Sequence, residues 1–369
     1  MRSPVRTTIC LGLIAGLLLS PKLWLSDRDY PLTPALDFFP PIPHPLDLAL
    51  YSAMIALLVL IFIIPRPVEC IAGFTVVALT LAIEDQSRWQ PWFYQYVFML
   101  VAIGLARPDS AFNICRLILA SVYFWSGLQK FNPGFQQDTL YWLLAPLTAT
   151  LRVDWLAVVI PVTETLIALG LLIGGLRKPA VIAAVAMHLL ILLSVGPLGH
   201  NHNRVVWPWN LAMGVLVVLL FWHSDFRLRD LAPRTVLHAA VFLLFAVLPA
   251  LSFFDLWDSY LSFALYSGNQ RKAVIYLADA VAAKLPDRLQ QELDGPESDS
   301  GVDTLDIEAW SFDELNVPDY AEIRVLKNVG RSVCRILNDS PSVVLMVDGR
   351  RQWLRRMRRD VYTCDTLSR

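Results

Sequence analysis

Two ionisable side chains inside apolar segments are the clearest chemical signal in this sequence. Lys130 ends an apolar run that starts at Ala111, and Glu164 lies within the apolar stretch PVTETLIALGLLIGG. Charged groups at membrane depth are costly unless they pair or face a wet cavity, so they mark functional sites. A lysine that is shielded from water can act as a base near neutral pH. We therefore predict that Lys130 and Glu164 are catalytic partners.

Both residues also have structural explanations. Lys130 could reach the lipid headgroups from the end of its helix. Glu164 could join neighbouring helices by pairing with Arg116, Lys130 or Arg204.

Further polar and aromatic residues in apolar surroundings are candidates for ligand contact. Tyr123 precedes Lys130 at helical spacing, so the two share a helix face, and His188 lies in the middle of AAVAMHLLILL. The sequence Trp207-Pro208-Trp209-Asn210 opens a later apolar segment and could cradle a flat ring. The predicted ligand-binding residues are Tyr123, His188, Arg204, Trp207 and Asn210.

These candidates also have ordinary alternatives. His188 could make a simple contact between helices, and Trp207 could anchor its helix at the headgroups. His200 and His202 are close in sequence, but neither an HExxH helix nor a cysteine pair accompanies them, so no metal site is predicted.

The composition places these residues in a membrane protein. Of 369 residues, 56% are hydrophobic and only 17% are charged, which is too apolar for a soluble protein of this length. The formal net charge of −1 gives no basic surface for nucleic acid. The expected partners are the lipid bilayer, a quinone or lipid ligand, and another membrane protein.

Nine hydrophobic windows predict an all-α polytopic membrane helix bundle with about nine transmembrane helices, since about 20 helical residues cross a bilayer. The first window has no small-x-small cleavage site and is expected to remain as a span. The windows are Ile9–Trp24, Leu46–Ile64, Val68–Ile83, Trp92–Ala106, Ala111–Lys130, Trp155–Gly175, Pro179–Leu198, Val205–Trp222 and Thr235–Phe254. The segment Phe135–Thr150 is too short and too mixed to span, and is expected at the interface or dipping inward.

Loop charges give the expected orientation. With a cytoplasmic N-terminus, one side of the membrane carries more of the lysines and arginines in short loops than the other, as cytoplasmic loops do. We predict an integral protein of a bacterial cytoplasmic membrane with an extracytoplasmic C-terminal region.

The last part of the chain is more polar. We predict two regions, a transmembrane bundle over residues 1–256 and an extramembrane α+β tail over residues 257–369, with an acidic linker near 294–303. Helices are expected over Asp279–Leu293 and Pro318–Leu337, and a buried strand over Ser342–Asp348. Ser259–Gly268 and Ala273–Leu277 are expected to be β-like or short amphipathic segments. Cys334 and Cys364 could pair if this tail lies in an oxidising compartment.

Short motifs around Lys130 resemble the DoxX-like superfamily of membrane proteins. They are YFWSGLQKFNPGF, TLYWLLAP and PVTETLIALGLLIGG, and the matching residues are Gly127, Leu128, Lys130, Asn132, Pro133, Phe135, Tyr141, Leu143, Leu144, Pro146, Pro161, Glu164 and Gly170. The later stretch with His188 and VVWPWN is more similar to the branch that holds the horizontally transferred transmembrane domain and the vitamin-K-dependent γ-carboxylases.

This resemblance implies a base role for Lys130 toward a reduced naphthoquinone, many spans and an extracytoplasmic C-terminal part. A single lysine follows Gly-Leu where the carboxylases carry two, and the tail is short for a peptide-binding domain, which argues against glutamyl carboxylation. The MauE and DoxX relatives imply a partner role in respiratory or thiol redox systems.

Two functions follow from these expectations. The first is a redox-associated membrane protein with an intramembrane pocket for a quinone, with an isoprenoid quinone as the candidate cofactor, or for a lipid. The alternative is a non-enzymatic membrane scaffold or assembly partner whose polar residues lock its helices together.

Overall fold

The computed structural model describes residues 3–36, 38–148, 153–294, 301–338, 340–351 and 357–368. Helices dominate from the N-terminus to Phe254, and a small antiparallel sheet follows near the C-terminus. The predicted combination of a helical part and a C-terminal part with strands is confirmed at this level.

Ten helices of the first part carry the labels used below. They are α1 Pro4–Leu19, α2 Leu46–Ile63, α3 Val68–Glu84, α4 Pro91–Leu105, α5 Pro108–Gln129, α6 Leu140–Thr148, α7 Leu156–Leu172, α8 Arg177–Val195, α9 Val206–Phe221 and α10 Val236–Phe254. The last of these ends in a π turn at Leu243–Val247 and a 3-10 turn at Leu248–Phe254. Short helical turns lie at Pro21–Trp24, Gln86–Arg88, Phe135–Thr139, Gly174–Leu176, Leu228–Leu231 and Tyr260–Ser262.

Local sequence explains where several helices begin and end. Pro4, Pro91 and Pro108 each occupy a first helical position, where the missing N–H group costs nothing and the fixed φ angle suits the helix. After α5, Asn132 makes the chain turn, because its side-chain oxygen accepts a hydrogen bond from the Phe135 N–H at 2.9 Å.

Four helical segments are long and apolar enough to cross a membrane: Leu46–Ile63, Pro108–Gln129, Gly174–Val195 and Val236–Phe254. Four other apolar helices are shorter, at Pro4–Leu19, Pro91–Leu105, Leu156–Leu172 and Val206–Phe221. Helices thus occur in all nine predicted windows, but the lengths support fewer than nine spans by themselves.

Helix α5 lies at the centre of the helical part. It packs against α4, α7, α9 and α10, and 67% of its most apolar window is buried, against about 30% for the other three long segments. A helix that is buried on most sides can present polar groups to the interior of a bundle at a lower cost than to lipid.

The C-terminal part holds the four-stranded sheet, in the order β2-β1-β3-β4. The strands are β1 Lys272–Ala278, β2 Val302–Asp306, β3 Val343–Asp348 and β4 Arg359–Thr363, and every neighbouring pair is antiparallel. Helices α11 Ile307–Leu315 and α12 Ile323–Ile336 accompany the sheet, with short helices at Asp279–Ala282, Asp287–Gln291 and Cys364–Leu367.

Packing between α12 and β3 explains the core of this part. Burial alternates along β1 and β3, and α12 buries Leu326, Val329 and Val333 in the same core. Val325 instead packs with Val195 and Val206 of the helical part. Cys334 at the end of α12 forms a disulfide with Cys364.

The sequence predicted some of the helices and strands of the C-terminal part and missed others. The β-like or short amphipathic segment expected at Ala273–Leu277 lies within β1, and the expected helix over Pro318–Leu337 forms later, at Ile323. β2, α11 and β4 were not predicted, and the acidic linker near 294–303 overlaps β2 at its end. Residues 295–300 of that linker lie outside the described residues.

Polar contacts hold the segment after α10 in place. The Glu322 carboxylate accepts hydrogen bonds from the backbone and side chain of Ser259, at 2.7 and 2.8 Å, and from Arg271 and Arg350, both at 2.7 Å. The Asn132 side chain donates to the Ser267 carbonyl at 2.7 Å. The Glu322 bonds fix the segment after α10 against α12, and the Asn132 bond fixes it against the turn that follows α5.

Candidate functional site

Lys130 and Glu164 meet at the contact between α5 and α7. The Lys130 Nζ lies 2.7 Å from the Glu164 Oε2, and the two side chains are only 9% and 8% exposed. The ammonium also donates to Ser126, to its Oγ at 2.7 Å and to its carbonyl at 3.1 Å. All three ammonium hydrogens therefore have acceptors within the protein.

Tyr123, His188 and Asn210 form a second polar chain from three helices. The Tyr123 hydroxyl lies 2.7 Å from the His188 Nε2, and the His188 Nδ1 lies 2.8 Å from the Asn210 Oδ1. The Asn210 Nδ2 donates to the Val206 carbonyl at 2.8 Å, which leaves its Oδ1 as the acceptor.

These bonds fix the proton positions of a neutral His188. The Nδ1 must carry the hydrogen that is donated to Asn210, so the Nε2 is the acceptor. The Tyr123 hydroxyl then donates to the Nε2, and its oxygen lone pairs stay available to accept a hydrogen bond.

Both polar groups line one cavity of about 210 Å³, the inner cavity, which lies among α5, α7, α8 and α9. Its other walls are mostly apolar, and they include Val122, Leu143, Ile160, Met187 and Trp209. Leu147 and Leu190 also line it and are 42% and 56% exposed, so one edge reaches the outer surface of the helices.

Five of the seven predicted site residues line this cavity: Tyr123, Lys130, Glu164, His188 and Asn210. Trp207 and Arg204 do not. The Trp207 Nε1 donates to the carbonyls of Val195 and His202, at 3.0 and 3.2 Å, which anchors the start of α9. The backbone N–H of Arg204 donates to Asn316 at 3.4 Å.

Several wall residues had no signal in the sequence. Phe263, Leu265 and Tyr266 follow α10 and close one side of the inner cavity, more than 130 positions after Lys130. Phe263 and Tyr266 have positive φ angles of 59° and 53°, which aromatic residues seldom adopt. Of the two indoles in the predicted Trp207-Pro208-Trp209-Asn210 motif, Trp209 lines the cavity and Trp207 does not.

Comparison with known protein families gives one match. Residues 108–206 match the model of the methylamine utilisation protein MauE, a membrane protein family. The matched region runs from the first residue of α5 to the first residue of α9 and holds Tyr123, Lys130, Glu164 and His188. No curated protein and no solved structure matches the chain.

This match corrects the family expected from the sequence motifs. The DoxX-like superfamily and the branch with the horizontally transferred transmembrane domain and γ-carboxylases were wrong, because the model that matches is that of MauE. The motifs around Lys130 are short, and runs of glycine, leucine and proline of this kind recur in many membrane helices. Similarity to a membrane protein family and the long apolar helices together support an integral membrane protein.

Proposed function

We propose that the chain crosses a bacterial cytoplasmic membrane about nine times, with a cytoplasmic N-terminus. A bundle over residues 1–256 would then precede an extracytoplasmic part over 257–369. Two hydrogen bonds support alternate crossings of the first helices. Arg6, near the start of α1, donates to the carbonyl of Pro65, just after the end of α2, at 3.2 Å. Arg324 of the C-terminal part donates to Gln86, just after the end of α3, at 2.6 Å.

We further propose that the inner cavity binds the ring of a membrane-soluble quinone or a similar lipid, in a redox-associated role. The observation that supports this most directly is the placement of two hydrogen-bonded polar groups on the wall of an otherwise apolar cavity. Ligand sites in proteins have this character, with a few placed polar groups among apolar walls.

The size of the inner cavity limits the ligand part that it could hold. A volume of about 210 Å³ lies below the range of about 300–1,000 Å³ for pockets that enclose drug-sized ligands. It suits a single ring whose apolar chain leaves past Leu147 and Leu190 toward the lipid.

The residues present fit such a ring. Tyr123 can accept a hydrogen bond from a ring hydroxyl, and its own proton is already directed at His188, which can receive it. Lys130 can donate to a ring carbonyl if it gives up its longer bond, to the Ser126 carbonyl. A bound quinone would supply the two-electron chemistry, and the side chains would hold it and move its protons.

Analysis of bound lipid tests this proposal. The protein is extracted in mild detergent, and its organic extract is measured by mass spectrometry. Stoichiometric isoprenoid quinone is expected with the unchanged chain and with the control Trp207→Phe, which alters an indole outside the cavity. Tyr123→Phe, which removes only the hydroxyl, should lower it at least fivefold.

A non-enzymatic scaffold or assembly partner is the second candidate. The Lys130 ammonium is fully bonded inside the protein, which suits a group that locks α5 to α7. On this reading only bulk phospholipid would be extracted, and Lys130→Met would lower stability or recovery of a complex without removing a small molecule.

A further inference from the structure

A second cavity of about 490 Å³ lies between the helical part and the C-terminal part, and is called the outer cavity here. Its wall includes Trp142, His202, Tyr266, Glu308, Phe312 and Asp319. It shares Leu265 and Tyr266 with the inner cavity, but its polar groups are different.

The outer cavity contains buried polar groups without partners. Asp319 is only 4% exposed, and among the described residues no other side chain or backbone group bonds its carboxylate. The Tyr266 hydroxyl and the Gln270 Nε2, both on the same wall, are buried and have no hydrogen bond within 3.5 Å in the described part of the chain, although Asn203 lies near Tyr266 and Tyr260 near Gln270. Buried polar groups normally have hydrogen-bond partners, so these two atoms beside the buried Asp319 carboxyl point to an absent ligand.

Acidic side chains outnumber basic ones on the wall of the outer cavity. Asp138, Asp306, Glu308 and Asp319 line it together with Arg271 and Lys272, and Asp138 pairs with Arg351. Arg271 already pairs with Glu322 at 2.7 Å and with Asp255 at 3.0 Å, and Asp306 caps α11 through the N–H groups of Glu308 and Ala309. Glu308 and Asp319 are therefore left with Lys272 as the basic group of the wall that has no carboxylate partner among the described residues.

Aromatic rings also line the outer cavity. Trp142 stacks on His200 with ring centres 4.1 Å apart and planes within 4°, while Phe312 lies 4.0 Å from His202. Fixed aromatic faces near carboxylates bind organic cations, because the ring face attracts the positive charge.

We propose that the outer cavity binds a small organic ammonium ion. Its charge lies against Asp319 and Glu308, and its carbon skeleton packs on Trp142 and Phe312. This site does not depend on quinone binding in the inner cavity.

Proton release should accompany this binding. Burial raises the pKa of Asp319 well above its usual range, and the charges of Glu308, Asp306 and Glu322 raise it further. Burial also raises the pKa of Glu308, although Lys272 opposes this. His202, Tyr260 and Tyr266 also face this region, and burial lowers the pKa of His202 and raises that of both tyrosines. An arriving ammonium favours the ionised carboxylates, so they lose protons as it binds.

Calorimetry on the full chain in detergent tests the proposal, with benzylamine as the probe and benzyl alcohol as its uncharged counterpart. Benzylamine should bind saturably, with a heat that depends on the ionisation enthalpy of the buffer because protons are released. Asp319→Asn should weaken binding at least tenfold and Phe312→Leu about threefold, while Asp287→Asn, at an exposed carboxylate away from the cavity, should change nothing.

Thermal unfolding separates a ligand site from a structural role. Asp319 has no described partner to lose, so Asp319→Asn should leave the melting temperature unchanged or raise it. The proposal is overturned if benzylamine does not bind, if benzyl alcohol binds equally well, if Ca²⁺ binds in its place, or if Asp319→Asn loses binding only because it unfolds.

Discussion

Gly127 of α5 lies so close to Thr165 of α7 that a Cβ at Gly127 would stand 2.5 Å from the Thr165 Oγ1. The same Cβ would lie 2.8 Å from the Thr165 backbone nitrogen and 2.9 Å from the Pro161 carbonyl. Backbone cannot move aside as a flexible side chain can. Only glycine therefore lets the two helices approach closely enough for Lys130 and Glu164 to meet.

Gly127→Ala should therefore destabilise the protein. Overpacking of this kind costs about 1–3 kcal/mol, which exceeds the gain of up to about 1 kcal/mol in helix propensity. Thermal unfolding in detergent measures the change. Gly214→Ala in α9 is the matched control, because nothing lies within 4 Å of its added Cβ, and it should be neutral or stabilising. Equal effects at both positions would contradict this close approach.

The Lys130 and Glu164 pair should show strong energetic coupling. Loss of one partner leaves a buried charge uncompensated, at a cost of about 3–5 kcal/mol. Lys130→Met and Glu164→Leu should each be strongly destabilising, while the double variant should be less so than their sum. A double-mutant cycle from unfolding free energies measures the coupling, and additive single effects would refute the pairing.

His188 should be neutral and protonated on Nδ1. Its partner Asn210 is oriented by the Val206 carbonyl, which fixes the tautomer. Nitrogen NMR of protein labelled in histidine should show one protonated Nδ1 signal that is lost in His188→Gln. Asn210→Leu should move the hydrogen or broaden the signal, while an Nε2 proton in the unchanged chain would disprove the assignment.

The pair Cys334 and Cys364 should be oxidised in cells. A disulfide that closes a sequence separation of 30 residues stabilises a fold by about 3–4 kcal/mol. Alkylation of denatured protein without reductant should modify the free Cys10, Cys70 and Cys115 and spare the other two. Modification of all five would indicate a reducing compartment, against the proposed extracytoplasmic location.

Stability of the C-terminal part should fall as pH rises through the titration of Glu292. Burial, followed by the charge of Asp313 and a hydrogen bond with it, raises the pKa of Glu292 from 4.5 to about 7. The folded state therefore binds this proton more tightly than the unfolded state. The resulting contribution to the free energy of unfolding is fully present below pH 4.5 and is lost as the pH rises from 4.5 to about 7. Glu292→Gln should flatten the pH dependence of thermal unfolding, whereas Asp287→Asn should preserve it.

Hydropathy predicted the helices well, because burial in lipid and burial against other helices both select apolar residues. The pairing of Lys130 with Glu164 was among the alternatives that the sequence allowed, because a buried charge needs a partner. The number of spans and the role of these residues stay predictions.

Other features had no local signal. The wall formed by Phe263–Tyr266 depends on the contact between Asn132 and Ser267, which joins distant parts of the chain. β2 was hidden because Val302–Asp306 is acidic and only one of its residues is fully buried. Trp207 and Trp209 are equivalent by composition, and only the helix rotation decides which one faces the cavity.

The position of β1 in the sheet affects how the protein is made. β1 is an interior strand but is synthesised first of the four, and its partner β3 begins more than 60 residues later. Until Val343 has been added, one edge of β1 stays open to pairing with other chains. A nascent or prematurely terminated product would thus present an unpaired strand edge to which strands of other chains can add.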